Sequence, residues 1–451
     1  VNTLKISGGT FNKAVIGGVA SNGGGYASNI TFSSEETDID VQITGGRFAS
    51  GADIIGGSYL VEAAGDNKST FNGTIQLAVS GATVDSNIYG GTYIEGNSPV
   101  VQKDVELTLG NSEGTTTAIN GSVYAAGYAE GDAAFSTENT KVTIAQGVSF
   151  GGSADAPITI SGGYGGSGAN ATVTGSKTLA ATGGSVDLSG NNIILSNFTT
   201  ADVAEGSSLN LGSKLATAGI TTKTGAGTLA IAGDMTGANL RVEGGTLQVG
   251  NATVLGSLAM ATDTTLKLTA SGADALHLSS LVIDDGASIG LDLTGLTLDT
   301  TQSDYTLVAF DSEQSLDLSR FDIALGDGWT GELSLIDNKL VLTANQFLYW
   351  DATDVPGVWT ATDEDNFFTG GSGSAATWVS GSSTTLVFGE SSEVKDVSIE
   401  GGLEVGGMIV QAGAGNTYSF TASNGAITSL GNLTVESGSA SFGAGALAVT
   451  S

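Results

Sequence analysis

The chain has 451 residues, enough for several domains or for one long repeat array. Its 70 glycines follow no three-residue period and prolines number only 3, which excludes collagen, while a 40% hydrophobic and 13% charged composition argues against disorder. The formal net charge of −32 sets aside nucleic acid and anionic membranes as partners, and the absence of cysteine excludes disulfides, zinc–thiolate sites and thiol nucleophiles.

Internal repeats organise residues 1–182. A two-part motif opens as Ile6-Ser7-Gly8-Gly9-Thr10-Phe11 with Val15-Ile16-Gly17-Gly18. It returns as Ile43-Thr44-Gly45-Gly46-Arg47-Phe48 with Ile54-Ile55-Gly56-Gly57-Ser58-Tyr59. A third copy is Val79-Ser80-Gly81-Ala82-Thr83-Val84 with Ile88-Tyr89-Gly90-Gly91-Thr92-Tyr93, and a degraded fourth is Val123-Tyr124-Ala125-Ala126-Gly127-Tyr128. The period, roughly 35 residues, lies in the solenoid range. Each motif reads as a short strand ending in paired glycines, where a side chain would obstruct a sharp corner or a neighbouring coil. One unit cannot bury its apolar side alone, whereas stacked units bury a continuous column of Ile, Val and Phe. One period can hold one large coil or two smaller ones.

From Gly183 the rhythm becomes a period-two strand, a glycine turn and another strand, repeating about every ten residues. The run Thr222-Lys223-Thr224-Gly225-Ala226-Gly227-Thr228-Leu229, followed by Gly244-Gly245-Thr246-Leu247-Gln248-Val249-Gly250, resembles the strand repeat of bacterial autotransporter passenger domains. The likeness is close over about thirty residues and looser over the flanking segments to about Asp292, within a repeat region read as residues 183–302. Asp234-Met235-Thr236-Gly237 stands where that repeat commonly has N-T-Y-x-G. The resemblance implies a β-helical passenger exported through the outer membrane. The aromatic-rich barrel that translocates such passengers is not in the sequence, so a separate outer-membrane anchor or translocator is expected. Val1 is not an initiator methionine and no signal-peptide pattern follows it, so a processed or excised piece is expected. Nothing approaches 18 consecutive apolar residues, and no direct membrane insertion of this segment is expected.

Residues 303–345 resemble the hairpin-rich module that closes such repeats, with Asp337-Asn338 as the hairpin turn. Residues 346–451 read as a second β-helical unit whose opening, Trp350, Gly357, Trp359, Asn366 and Phe367, resembles a W…G-x-W…N-W start with Phe367 in place of the last tryptophan. The fold expected overall is all-β: a right-handed parallel β-helix or β-solenoid with glycine-rich turns, in two or more consecutive segments.

Little in the sequence carries enzyme chemistry. His277 alternates with Leu276 and Leu278 and so faces solvent. Gly286-Ala287-Ser288-Ile289-Gly290 has the form of a nucleophile elbow, but a strand rather than a helix follows and no histidine lies downstream. Asp284-Asp285 and Asp363-Glu364-Asp365 are acidic clusters that turn chemistry explains. Calcium on Asp363, Asp365 and Asn366 is the one metal to weigh; no other cofactor is expected. Trp350, Trp359 and Trp378 can either stack on sugar rings or form a hydrophobic plug, the plug being preferred. Tyr59, Tyr93 and Tyr128 share one repeat position and should form a ladder, a buried stack ahead of a ligand platform.

The resemblance to passenger domains implies a non-enzymatic function: a structural rod or adhesin, displayed on the extracellular face of the outer membrane or secreted, with multivalent contacts to host glycans, mucin, other cells or surface proteins. A β-helical polysaccharide hydrolase or lyase, and a self-assembling surface coat without a soluble ligand, are the alternatives.

Overall fold

The computed structural model describes residues 1–22, 30–32, 36–61, 68–96, 99–131, 134–168, 170–299, 302–326, 328–352, 357–369, 374–382 and 384–448. It is all-β, a parallel β-solenoid in architecture, and forms two compact units, Val1–Lys267 with His277–Gly290 and Leu268–Leu276 with Leu291–Ser451.

The first unit begins with wide coils. Each sequence period is one coil, because Tyr93 is the register partner of Tyr59 on one side and of Tyr128 on the other. A coil lays down four strands, each stacked in parallel on its equivalents. In the third copy these are Ser69–Val79, Ala82–Val84, Ile88–Tyr89 and Thr92–Glu95. Inward positions alternate with outward ones, and the inward ones form ladders: Ile6, Ile43, Val79, Leu109 and Ile144 are successive register partners. Of these, Ile43, Val79, Leu109 and Ile144 are at most 1% exposed, which removes their whole side chains from water. At about 25 cal/mol per Å² this burial is the main stabilising term of each coil.

The paired glycines sit where the third wall turns into the fourth. A Cβ on Gly17 would collide with the carbonyl oxygen of Gly56, one on Gly56 with that of Gly90, and one on Gly90 with that of Ala125. The column is held by hydrogen bonds running from coil to coil, Gly17 N to Ile55 O (2.9 Å), Gly56 N to Tyr89 O (2.8 Å) and Gly90 N to Tyr124 O (2.8 Å). The corner thus needs glycine for close backbone approach.

The third wall ends with Ile193–Ser196, and after it the coils narrow to two walls. One wall runs through Lys177–Thr182, Thr200–Val203, Thr222–Thr224, Leu240–Val242, Val254–Met260 and the strand ending at Ile283. The other runs through Ser185–Asp187, Ser208–Gly212, Thr228–Ile231 and Gly245–Val249. The two coil types are continuous, since the ladder passes from Ile144 to Ala181 and on to Val203. The one α-helix among the described residues is the four-residue Leu215–Ala218. In the strand Thr222–Thr224 the inward position is Lys223, fully buried, with Nζ donating to the carbonyls of Thr224 (3.2 Å), Gly225 (2.6 Å) and Gly244 (2.6 Å).

The second unit pivots on the strand Lys339–Trp350. Its first part pairs antiparallel with Trp329–Ile336, and the hairpin turn is Asp337-Asn338, both with positive φ (49° and 59°). Its last part pairs in parallel with Thr385–Phe388, which starts a stack through Asp396–Gln411 and Thr417–Ser437. Trp350, Trp359, Phe367, Trp378, Phe388 and Phe420 pack together at the centre of that stack, each at most 1% exposed.

Candidate functional site

Burial separates the two aromatic sets that the sequence singles out. Trp350 and Trp359 lie inside the second unit, 1% and 0% exposed, with Trp350 Nε1 donating to Val394 O (3.1 Å) and the Trp359 ring 5.2 Å from that of Trp378. Neither offers a ring face to a sugar; both belong to the hydrophobic plug.

Tyr59, Tyr93 and Tyr128 are brought together. They stand on the outer face of the fourth wall, half-buried, while Ser58, Leu60, Thr92, Ile94, Gly127 and Ala129 between them point inward. Period-two alternation sets this orientation, and the coil register sets the column. The Tyr59 and Tyr93 rings stack at 5.0 Å and the Tyr93 and Tyr128 rings at 4.4 Å, nearly parallel at 9°.

A second aromatic column backs the first. Tyr89 and Tyr124, on the third wall, stack at 5.7 Å, and Tyr89 meets Tyr93 and Tyr128 edge-on at 5.3 and 5.6 Å. Tyr89 points outward, yet only 4% of it is exposed, because the glycine corner folds the fourth wall's tyrosines back over it. Such edge-to-face and offset contacts are each worth about 1 kcal/mol beyond burial. The column stops at the next coil, where Gly165 pairs with Tyr128 and lies beneath the Tyr124 ring. There Tyr164 falls in the inward phase and packs on Phe135 at 4.4 Å.

Carboxylates line the ladder's outer edge. Tyr93 donates to Glu95 (2.5 Å) and Tyr128 to Glu130 (2.8 Å), and the two glutamates are register partners on adjacent coils. Asp53 accepts from Ser86 Oγ and from Asn87 N, bracing the coil below against the coil above. Burial first, then these acceptors, raise the phenols: Tyr128 is pushed up to about 12, and Tyr59, Tyr89 and Tyr93 are raised as well. All four stay protonated donors at neutral pH. The glutamates were absent from the sequence-based site, although the signal was present: Tyr93-Ile94-Glu95 and Tyr128-Ala129-Glu130 place both residue types on one strand face.

Asp284 and Asp363, one from each acidic cluster, are engaged within the fold. Asp284 takes a two-pronged contact from Arg241 (3.0 and 2.6 Å). Asp363 is 3% exposed and accepts from the backbone of Asp365 and Asn366 and from the Asn366 amide, so it holds its own turn. A shallow cleft of about 580 Å³ lies over that turn, lined also by Val358, Thr360 and Thr362. Among the described residues no cluster of three or more His, Asp or Glu side chains is placed to hold a metal ion. No described helix is long and apolar enough to cross a membrane.

No family model, curated protein or solved structure matches the chain.

Proposed function

We propose that this chain is a passenger-like surface protein, displayed outside the outer membrane or secreted, that works as a structural stalk and adhesin through multivalent contact with glycans. The observation that carries this reading is the register-locked column Tyr59–Tyr93–Tyr128 with its glutamates. A solenoid repeats one surface group at every coil, so weak contacts recur along a single line and add through effective concentration. The stacked aliphatic core beneath fixes the spacing of those contacts before a ligand arrives, which lowers the ordering cost of binding. A polysaccharide hydrolase would need two carboxyl groups free to flank a bond. Asp284 and Asp363, one carboxylate of each acidic cluster, are instead tied to Arg241 and to a turn.

Retention of the purified chain on immobilised mucins and complex glycans tests the proposal, with the recovered ligand checked for cleavage. The expected result is retention of intact ligand by the native chain and its loss in a Tyr93→Ala/Tyr128→Ala variant whose circular dichroism is unchanged. Cleaved ligand, or retention indifferent to the ladder, would overturn it.

A further inference from the structure

The fourth wall ends inside the first unit. Its last strand, Tyr164–Gly165, pairs with Gly127–Glu130 on one side and, among the described residues, with no strand on the other. The last strand of the third wall, Ile193–Ser196, is by contrast packed against the short helix Leu215–Ala218. An uncovered strand edge carries backbone N–H and C=O groups without strand partners. At this edge lies a pocket of about 210 Å³, lined by Tyr164 and the glycines around it, Val173, Asn197 and Lys177. Lys177 is the one charged residue of that lining, in a chain of net charge −32.

Lys177 stands where alternation calls for an apolar residue. It continues the inward column of Ile75, Val105 and Thr140, and Leu179 and Ala181 on its own strand are fully buried. An ammonium drawn toward a core has to be met by acceptors. Lys223, also inward, gives its protons to three carbonyls. The Lys177 ammonium, half-buried, has no hydrogen bond or ion pair among the described residues. It is a cation kept without a partner inside a pocket.

Resting on the glycan-contact reading above, we infer that this pocket takes the carboxylate-bearing terminal sugar of a glycan, with the carboxylate on Lys177 and ring hydroxyls on the edge of Tyr164–Gly165. The unpartnered ammonium selects the carboxylate. The volume selects a single ring, since drug-sized ligands fill about 300 Å³ or more. Net charge selects an acidic end over a repeating polyanion, which the rest of the surface repels. An acidic peptide added as a strand needs a longer edge than these two residues. The tyrosine column leads to the pocket, because Gly165 is the register partner of Tyr128 and Gly166 lies against the Tyr128 ring.

The full chain would be offered to a sialylated mucin, to the same mucin stripped of sialic acid, and to polyglutamate, each at low and high salt. The expected outcome is tightest retention on the sialylated mucin, weakened by salt and displaced by free sialic acid but not by galactose. Displacement by both sugars alike would overturn the inference on the native chain, whatever the variants do. Lys177→Met puts an apolar side chain in an inward phase and should leave the circular dichroism unchanged. It should lower affinity for the sialylated mucin about tenfold, as loss of a charge-assisted bond requires, and leave the stripped mucin's unchanged. Lys103→Met, on the first wall outside the pocket, should change it by less than about twofold, since screened charges outside the contact act weakly. Equal losses in the two variants would assign binding to overall charge and overturn the inference. Stronger, Lys177-dependent retention on polyglutamate would give the pocket to an acidic peptide and overturn the sugar. Equal retention of the two mucins, lost in Tyr93→Ala/Tyr128→Ala, would overturn the acidic assignment and leave the contact reading intact. Retention of neither mucin would overturn both.

Discussion

The wide coils, whose third wall ends at Ser196, and the narrow coils that follow share one inward ladder, through Ile144, Ala181 and Val203, yet the long side chain that serves their corners is neutral in one and charged in the other. At a wide corner Gly17, Gly56 and Gly90 stack so closely that each coil's backbone N–H meets the next coil's carbonyl, and the buried, uncharged Gln102 amide accepts from Thr92 N and donates to Ala126 O. At the narrow corner after Thr224 carbonyls converge on the interior, and the buried Lys223 ammonium supplies the missing donors. A stacked turn must satisfy its backbone polar groups without water. Both corners do so by bringing backbones together at glycine and by sending in a long side chain. The side chain is an amide where both a donor and an acceptor are needed, as at Gln102, and an ammonium that gives up hydration where three carbonyls converge, as at Lys223.

The comparison is broken most directly at Gly56. Its φ is not positive, so an alanine there is unfavourable only for lack of room, and the obstruction is backbone, the Gly90 carbonyl, with Leu77 Cβ also near at 3.3 Å. Gly56→Ala should destabilise the first unit by about 3 kcal/mol, the upper range for overpacking a rigid site. Chemical denaturation followed by circular dichroism measures it, and a loss below about 0.5 kcal/mol would mean that the corner is plastic.

At the narrow corner, Lys223→Met keeps the length of the side chain and removes the donors. Three carbonyls then lose their partner, at an expected total of about 2 kcal/mol. The same residue predicts a pH dependence. Burial lowers the Lys223 pKa from its ordinary 10.5 to about 8, with the nearby Asp202 carboxylate partly opposing the shift. Between those values the unfolded chain binds the proton and the folded chain does not, so stability rises with pH through this window. The native chain should gain about 1 kcal/mol from this group between roughly pH 7 and 9, a gain absent from Lys223→Met. A falling difference between the two proteins over that range would show that the ammonium is held by its carbonyls more strongly than burial disfavours it.

Much of this was legible in the residues. Repeated I-x-G-G pairs announced corners, alternation gave the inward ladders, and recurrence of Tyr59, Tyr93 and Tyr128 at one repeat position announced their column. The tryptophans read correctly as a plug because Trp350, Trp359 and Trp378 fall among residues that alternate as core. Three features depend on packing between coils, which no local pattern reports. Tyr89 lies in an outward phase and is buried only because the corner folds back on it. The ring faces of the ladder are consumed by the neighbouring coils, so residues that look like a stacking platform present edges and hydroxyls instead. Lys223 stands where alternation expects an apolar residue, and its polar flanks Thr222 and Thr224 hide the phase.

The finest version of the comparison uses two glycines with the same local sequence. Gly8 and Gly45 hold the same motif place one coil apart, as Ile6 pairs with Ile43 and Thr10 with Arg47. Neither has a positive φ, so conformational freedom does not distinguish them. A Cβ on Gly8 would meet nothing within 4 Å, whereas one on Gly45 would lie 2.8 Å from the Ser7 carbonyl oxygen. Gly8→Ala should therefore be neutral or stabilise by about 0.5 kcal/mol, through the lower entropy of the unfolded chain. Gly45→Ala should cost about 1 kcal/mol, since the Ser7 carbonyl must shift. Thermal melting of the two variants side by side decides the matter. Equal effects would locate the glycine requirement in the I-x-G-G sequence itself; a difference of the stated sign locates it in the coil stacked beneath.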